Sequence, residues 1–152
     1  MITLKRTDSS DTDFVALVQL LDADLAVRDG EEHAFYHQFN AIAAIKNVIV
    51  AYDDTYPVAC GAIKALDTAR MEVKRMYTRP EARGKKIAAN VLAELEKWAV
   101  ELGYSACVLE TGKKQPEAIA LYTRCGYSTR PNYGQYAGVE NSVCFEKNLG
   151  AI

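Results

Sequence analysis

Histidine is nearly missing from this chain, with only His33 and His37 in 152 residues. The two stand four apart on a stretch that reads as helix, a spacing able to grip a metal, but no Glu, Asp or Cys ligands recur at matching spacing elsewhere. They read as exposed surface histidines, and no metal is expected. A Ser-His-Asp constellation has no assignable members, and neither a Walker loop nor a Gly-x-Gly-x-x-Gly turn is present. Cysteine is scattered: Cys60, Cys107, Cys125 and Cys144 form no CxxC pair and read as buried, reduced thiols. No apolar run is long enough to span a bilayer, and the start, Met1 to Asp8, turns polar too early for a signal peptide. A cytoplasmic location without a membrane partner is the expectation. An excess of one charge is also lacking. The 18 basic and 20 acidic residues leave a formal charge of -2, so no long-range field draws the chain to nucleic acid, and any anion site must be built locally.

What is present, 49% hydrophobic and 25% charged residues, fits one ordinary globular domain over 1–152 with a sizeable core. Ile2 to Lys5 reads as a strand. Ser10 with Asp13 offers a capping-box-like start to a helix through Phe14, Leu17, Val18, Leu21 and Leu25, closed by Gly30. A second helix is expected from Glu31 to Ile45, the pair covering a cleft. Val48–Tyr52 and Pro57–Ile63 flank a polar turn and form a hairpin, followed by a third strand over Arg70–Thr78. Its alternation sets Met71, Val73, Arg75 and Tyr77 on one face against Glu72, Lys74 and Met76 on the other. An amphipathic helix follows, with Ile87, Val91, Leu95, Trp98 and Leu102 on one stripe and Gly103 at its end. Ala106–Glu110 is a strand, Pro116 opens a short helix that Gly126 ends, and two strands close the chain near Tyr127–Arg130 and Ser142–Lys147. This order predicts mixed α/β (α+β) architecture, with an antiparallel first half and no repeating βαβ units.

The junction Arg83-Gly84-Lys85-Lys86-Ile87-Ala88 places three cations and a glycine at a helix start. Unpaired N–H groups and the positive end of the helix dipole favour an anion there, whereas lysine is unfavourable for the helix itself. A solvated basic loop is the competing reading of the same residues.

The segment from Tyr77 to Leu92 resembles motif A of the GNAT superfamily of N-acetyltransferases, Arg/Gln-x-x-Gly-x-Gly/Ala at the head of a helix. It matches at Arg83 and Ala88, and Lys86 replaces the first pattern glycine. Gln115 through Tyr127 is similar to a second segment of the family, Asn-x-x-Ala-x-x-Leu-Tyr-x-x-x-Gly-Phe/Tyr, with Gln115 where asparagine is usual. The resemblance is specific between Glu72 and Tyr127 and follows element order alone before that. It implies the acyl-CoA N-acyltransferase fold, a mixed, mostly antiparallel central sheet flanked by helices, with acetyl-CoA as cosubstrate. Backbone amides from Arg83, Gly84, Lys85, Lys86, Ile87 and Ala88 would hold the pyrophosphate. Met76, Tyr77 and Thr78 would pair with the pantetheine arm as an added strand, the Met76 N–H would meet the oxyanion, and Gln115 and Ala118 would complete the coenzyme site.

Carried over in the same way, Tyr122 would donate its phenolic proton to the leaving thiolate, and a packed core tyrosine is its rival reading. Glu72 corresponds to a general base, against a surface salt bridge to Lys74 or Arg75. Glu110 is the alternative base or a clamp for a cationic substrate, and ordered water could replace either. The turn-rich stretch Arg130–Gly138 makes Tyr133 and Tyr136 candidate substrate contacts, or the packed rings of an ordinary loop. The expected activity is acetyl transfer to a primary amine of a small molecule or peptide by direct attack. The alternatives are a catalytically silent acyl-CoA sensor of the same fold and an unrelated phosphate-binding protein. A homodimer through the C-terminal strands is compatible with the sequence.

Overall fold

The computed structural model describes residues 1–29 and 45–150. The second expected helix, His33 and His37 lie outside the described residues, Ile45 excepted. Strand β1 (Ile2–Thr7) leads to helix α1 (Thr12–Asp29), then to β2 (Asn47–Asp53), β3 (Tyr56–Ala65) and β4 (Arg70–Thr78). Helix α2 (Ile87–Glu101), β5 (Ala106–Gly112), helix α3 (Pro116–Arg124), β6 (Ser128–Arg130) and β7 (Ser142–Asn148) follow. The seven strands form one sheet in the order β1-β2-β3-β4-β5-β7-β6, and only β4 and β5 run parallel. No described helix is long and apolar enough to cross a membrane.

Both faces of the central strands are covered, so they read as continuous apolar runs rather than alternating ones. On one face Val48, Val50, Cys60 and Ala62 pack against Phe14, Leu17 and Val18, the apolar stripe of α1. On the other, Ile49, Ala51, Ile63, Met71 and Val73 pack with Val91, Leu92 and Leu95 of α2 and Tyr122 of α3. Each large apolar side chain so buried contributes about 1.5–3 kcal/mol. The cap of α1 differs from the expected Ser10–Asp13 box. Asp11 Oδ1 accepts the backbone N–H of Asp13 and Phe14 at 2.9 and 3.2 Å, while Ser10 turns its hydroxyl to Asp8. In α2 the buried stripe is Ile87, Val91, Leu92, Leu95 and Ala99. Leu102 falls beyond the last helical turn and is exposed, because the chain reverses at Gly103 with φ 94°.

Two irregularities of β4 position everything that follows. Its register with β3 shifts between Cys60↔Tyr77 and Ala62↔Lys74, so Arg75 and Met76 together oppose Gly61. This is a β-bulge, with Arg75 at φ 60°. It overturns the expected alternation beyond Lys74. Arg75 turns to the α1 face, where its guanidinium meets Asp22 at 2.9 Å, and Met76 joins Met71 and Val73 on the α2 face. Gly61 makes room for that side chain, since a Cβ there would lie 2.5 Å from Met76 Sδ. The second irregularity is that β4 and β5 pair only at Arg70↔Ala106, Met71↔Cys107 and Glu72↔Val108. Beyond Glu72, β4 stays with β3 and β5 stays with β7 as far as Gly112, so the sheet opens into a wedge.

Candidate active site

A cleft of about 570 Å³ runs from the start of α2 into the wedge, and it joins a smaller lobe of about 110 Å³ beneath α1. Leu21, Met76, Gln115, Ala118 and Tyr122 line both. The bulge and α3 therefore meet where the two spaces join. On α3 the spacing Gln115, Ala118, Tyr122, Cys125 puts these residues on one helical stripe facing the cleft.

At the outer end of the cleft the backbone takes two left-handed steps, Gly84 at φ 80° and Lys86 at φ 64°. Lys86 is the N-cap of α2, and no side chain caps the helix. Its first-turn N–H groups and the dipole are thus offered outward. A Cβ on Gly84 would meet nothing within 4 Å, so the turn opens onto free space. Arg83, Gly84, Lys86, Ile87 and Ala88 line the cleft, whereas Lys85 is exposed and does not. Arg83 is anchored in place, its Nε donating to the Thr78 carbonyl at 3.0 Å and its guanidinium lying 5.9 Å from the Tyr77 ring centre. Met76, Tyr77 and Thr78 form the strand-side wall. An elongated anion with a narrow tail fits this arrangement, the charged end at the uncapped helix and the tail along β4 toward Tyr122.

Tyr122 is buried and touches Tyr127 and Phe145, with ring centres 5.9 and 6.2 Å away. It is thus both a packed tyrosine and a lining residue. Burial, then the neighbouring Cys125 and Glu110, push its phenol well above its ordinary range, so it is held protonated at neutral pH.

The smaller lobe gathers Glu72, Lys74, Arg75, Glu110 and Tyr136. Glu72 is 8% exposed and accepts a hydrogen bond from the Tyr133 hydroxyl at 2.8 Å, with Lys74 Nζ 3.7 Å from its other oxygen. Glu72 thus lines the lobe and pairs with Lys74 while buried, whereas the competing expectation placed that salt bridge on the sheet surface. Tyr133 stands behind Glu72 rather than on the lobe surface, and its phenol is raised by burial and by that carboxylate. Tyr136 lines the lobe, its phenol raised by burial, then by Glu110 and Glu72. The two rings pack edge to face at 5.9 Å and 88°.

Sequence reasoning missed the contributions of Leu21 and Asp24 from α1 and of Glu117, Leu121, Arg124 and Cys125 from α3. For α3 the signal was the helical repeat counted from Tyr122. For α1 the sequence pattern placed a helix over a cleft without marking which of its residues face it. Cys125 is only partly buried, unlike the other three cysteines, and all four thiols are free. Among the described residues no cluster of three or more His, Cys, Asp or Glu could hold a metal.

The sequence model of the Acetyltransferase (GNAT) family matches residues 14–127. An IAA acetyltransferase of Azospirillum brasilense is 44% identical over 94 residues, 60% of this chain and 61% of that protein, so the match spans less than two thirds of that relative's length. An uncharacterised N-acetyltransferase of Bacillus subtilis is 33% identical over 65% of this chain and 67% of its own. Among solved structures, a Klebsiella pneumoniae chain assigned as an acyl-CoA N-acyltransferase superposes with TM-score 0.82 at 31% identity, over 98% of both chains. The PaiA N-acetyltransferase of Thermoplasma acidophilum, solved with coenzyme A, superposes with TM-score 0.70 at 17% identity over 97% of this chain and 99% of that one, a likeness of fold.

Proposed function

Since the chain belongs to the acetyltransferase (GNAT) family, we propose that it is a single-domain, cytoplasmic, acetyl-CoA-dependent N-acetyltransferase acting on a primary amine by direct attack. The observation that carries this reading is that Met76 and Tyr122 line both spaces, one reaching the uncapped start of α2 and the other holding two carboxylates. Acetyl-CoA supplies an acetyl group already activated as a thioester. The backbone amides around Gly84 to Ala88 bind its pyrophosphate, and Arg83 and Lys86 add charge. The bulge leaves Arg75 and Met76 without registered partners on β3, and in this reading the Met76 N–H is the donor that meets the oxyanion in the wedge. Glu72 or Glu110, directly or through water, takes the proton that the amine must lose before its nitrogen attacks. Tyr122 gives its proton to the sulfur as the carbon–sulfur bond breaks.

The experiment is calorimetric titration with acetyl-CoA, coenzyme A and ATP, followed by a thiol-release screen against pooled amines. IAA is included because one relative is named for it. Binding of acetyl-CoA but not ATP, with thiol released by at least one pool, is the expected result. Tight binding without turnover in any pool favours an acyl-CoA sensor, and absence of coenzyme binding overturns the proposal.

A further inference from the structure

The smaller lobe carries charge of both signs, and that decides what acceptor it suits. Among the described residues, Glu72 and Glu110 are its acidic side chains and Lys74 and Arg75 its basic ones. Arg75 is already engaged, its side chain 2% exposed and paired with Asp22 at 2.9 Å. Lys74 Nζ lies 3.7 Å from Glu72, and its side chain lines the lobe with only 13% exposure, so this cation stands beside the carboxylates rather than out in solvent. A polyamine would meet an inward lysine beside the carboxylates meant to receive it. A purely anionic acceptor would meet two carboxylates. A small molecule with an amine at one end and a carboxylate at the other satisfies both groups, within a space of about 110 Å³.

We infer that the acceptor is a small zwitterion of the amino-acid class, its carboxylate held by Lys74 and its amine directed at Glu110 and Glu72 beside Tyr122. This rests on the transferase reading above and narrows it. In the transfer the amine nitrogen bonds to the acetyl carbon as the carbon–sulfur bond breaks. A glutamate, or a water it orders, takes the amine proton, and the thiolate receives the proton of Tyr122. The apolar wall from Leu21 and Leu25 of α1 leaves room for an aliphatic side chain.

The test compares each of the standard amino acids with its amide and its decarboxylated amine in thiol-release kinetics at saturating acetyl-CoA, on protein whose acetyl-CoA binding has been measured by calorimetry. At least one amino acid is expected to exceed both of its analogues by about tenfold or more in kcat/KM. In Lys74→Gln that preference is expected to fall about tenfold, and in Lys74→Arg to be largely retained. The comparison on the unaltered protein stands alone if a variant fails to fold. If no amino acid exceeds both of its analogues while some of these amines are acetylated, the inference is overturned and the transferase is left intact. Coenzyme binding without turnover of any amino acid overturns the inference as well. Failure of acetyl-CoA to bind removes the transferase reading first, and this inference with it.

Discussion

At Tyr122 one residue both packs the core and lines the candidate site. Tyr122→Phe keeps the ring contacts with Tyr127 and Phe145 and removes only the hydroxyl proposed as proton donor. Turnover is expected to fall about 100-fold, with acetyl-CoA affinity unchanged by calorimetry. Because the phenol is raised above its usual value of 10.0, it stays protonated across an ordinary assay range. The rate should therefore rise with pH as the amine or its carboxylate base loses a proton, with no fall attributable to Tyr122 below about pH 10. Lys86 makes the contrasting case. It occupies a left-handed step that glycine takes without penalty, so Lys86→Gly is expected to raise stability by about 1 kcal/mol in denaturant unfolding. The same change should weaken acetyl-CoA binding and flatten its salt dependence by removing a cation from the cleft. The lining residues that the sequence singled out lie mostly in short continuous segments, Met76 to Thr78, Arg83 to Ala88 without Lys85, and Gln115 to Tyr122, with Glu72, Glu110 and Tyr136 outside them. The bond from Tyr133 to Glu72 joins positions 61 apart, which no local pattern encodes.

The bulge in β4 gives the element scale its main lesson. Hydropathy made Arg70–Thr78 a strand with the right ends, but the face presented by Arg75, Met76 and Tyr77 depends on one positive φ and on an ion pair with Asp22 in α1. Period-two alternation cannot foresee such a step, because one extra residue moves every later side chain to the opposite face. The charges that alternation divides between the faces, Arg75 on one and Glu72 and Lys74 on the other, are brought together on the α1 side by this turn. Arg75 finds Asp22, and Glu72 and Lys74 look into the lobe. Gly61 is the matching feature on β3. A Cβ at that position would approach Met76 Sδ at 2.5 Å, Leu95 Cδ1 at 2.9 Å and Val91 Cγ1 at 3.1 Å. Gly61→Ala is thus expected to cost about 1–3 kcal/mol through overpacking, read as a lower denaturant midpoint. Because Met76 must yield, and its amide is the proposed oxyanion donor, kcat should fall more than the affinity for acetyl-CoA. An unchanged kcat with the same loss of stability would separate the bulge from the chemistry.

For the whole molecule, the order of the described elements could be read from periodicity and from the turn residues that punctuate it, because their ends follow local rules even where, as in β4, the faces do not. The strand order could not, since β7 enters between β5 and β6 through long-range pairing that only the assembled core enforces. That insertion holds β5 from one side while β3 holds β4 from the other, and the wedge between them joins the two halves of the sheet. If residues 1–152 form one domain, unfolding is a single cooperative transition, and a ligand filling the wedge stabilises both halves at once. Acetyl-CoA at 100 times its Kd should then add about 2.7 kcal/mol, raising Tm by roughly 5–11 °C for a chain of this size. Calorimetric scans with and without acetyl-CoA check this. One peak moving as a unit is the expected result. Two peaks, only one of them shifted by the ligand, would mean that the halves on either side of the wedge unfold separately and that the coenzyme grips only the part bearing α2.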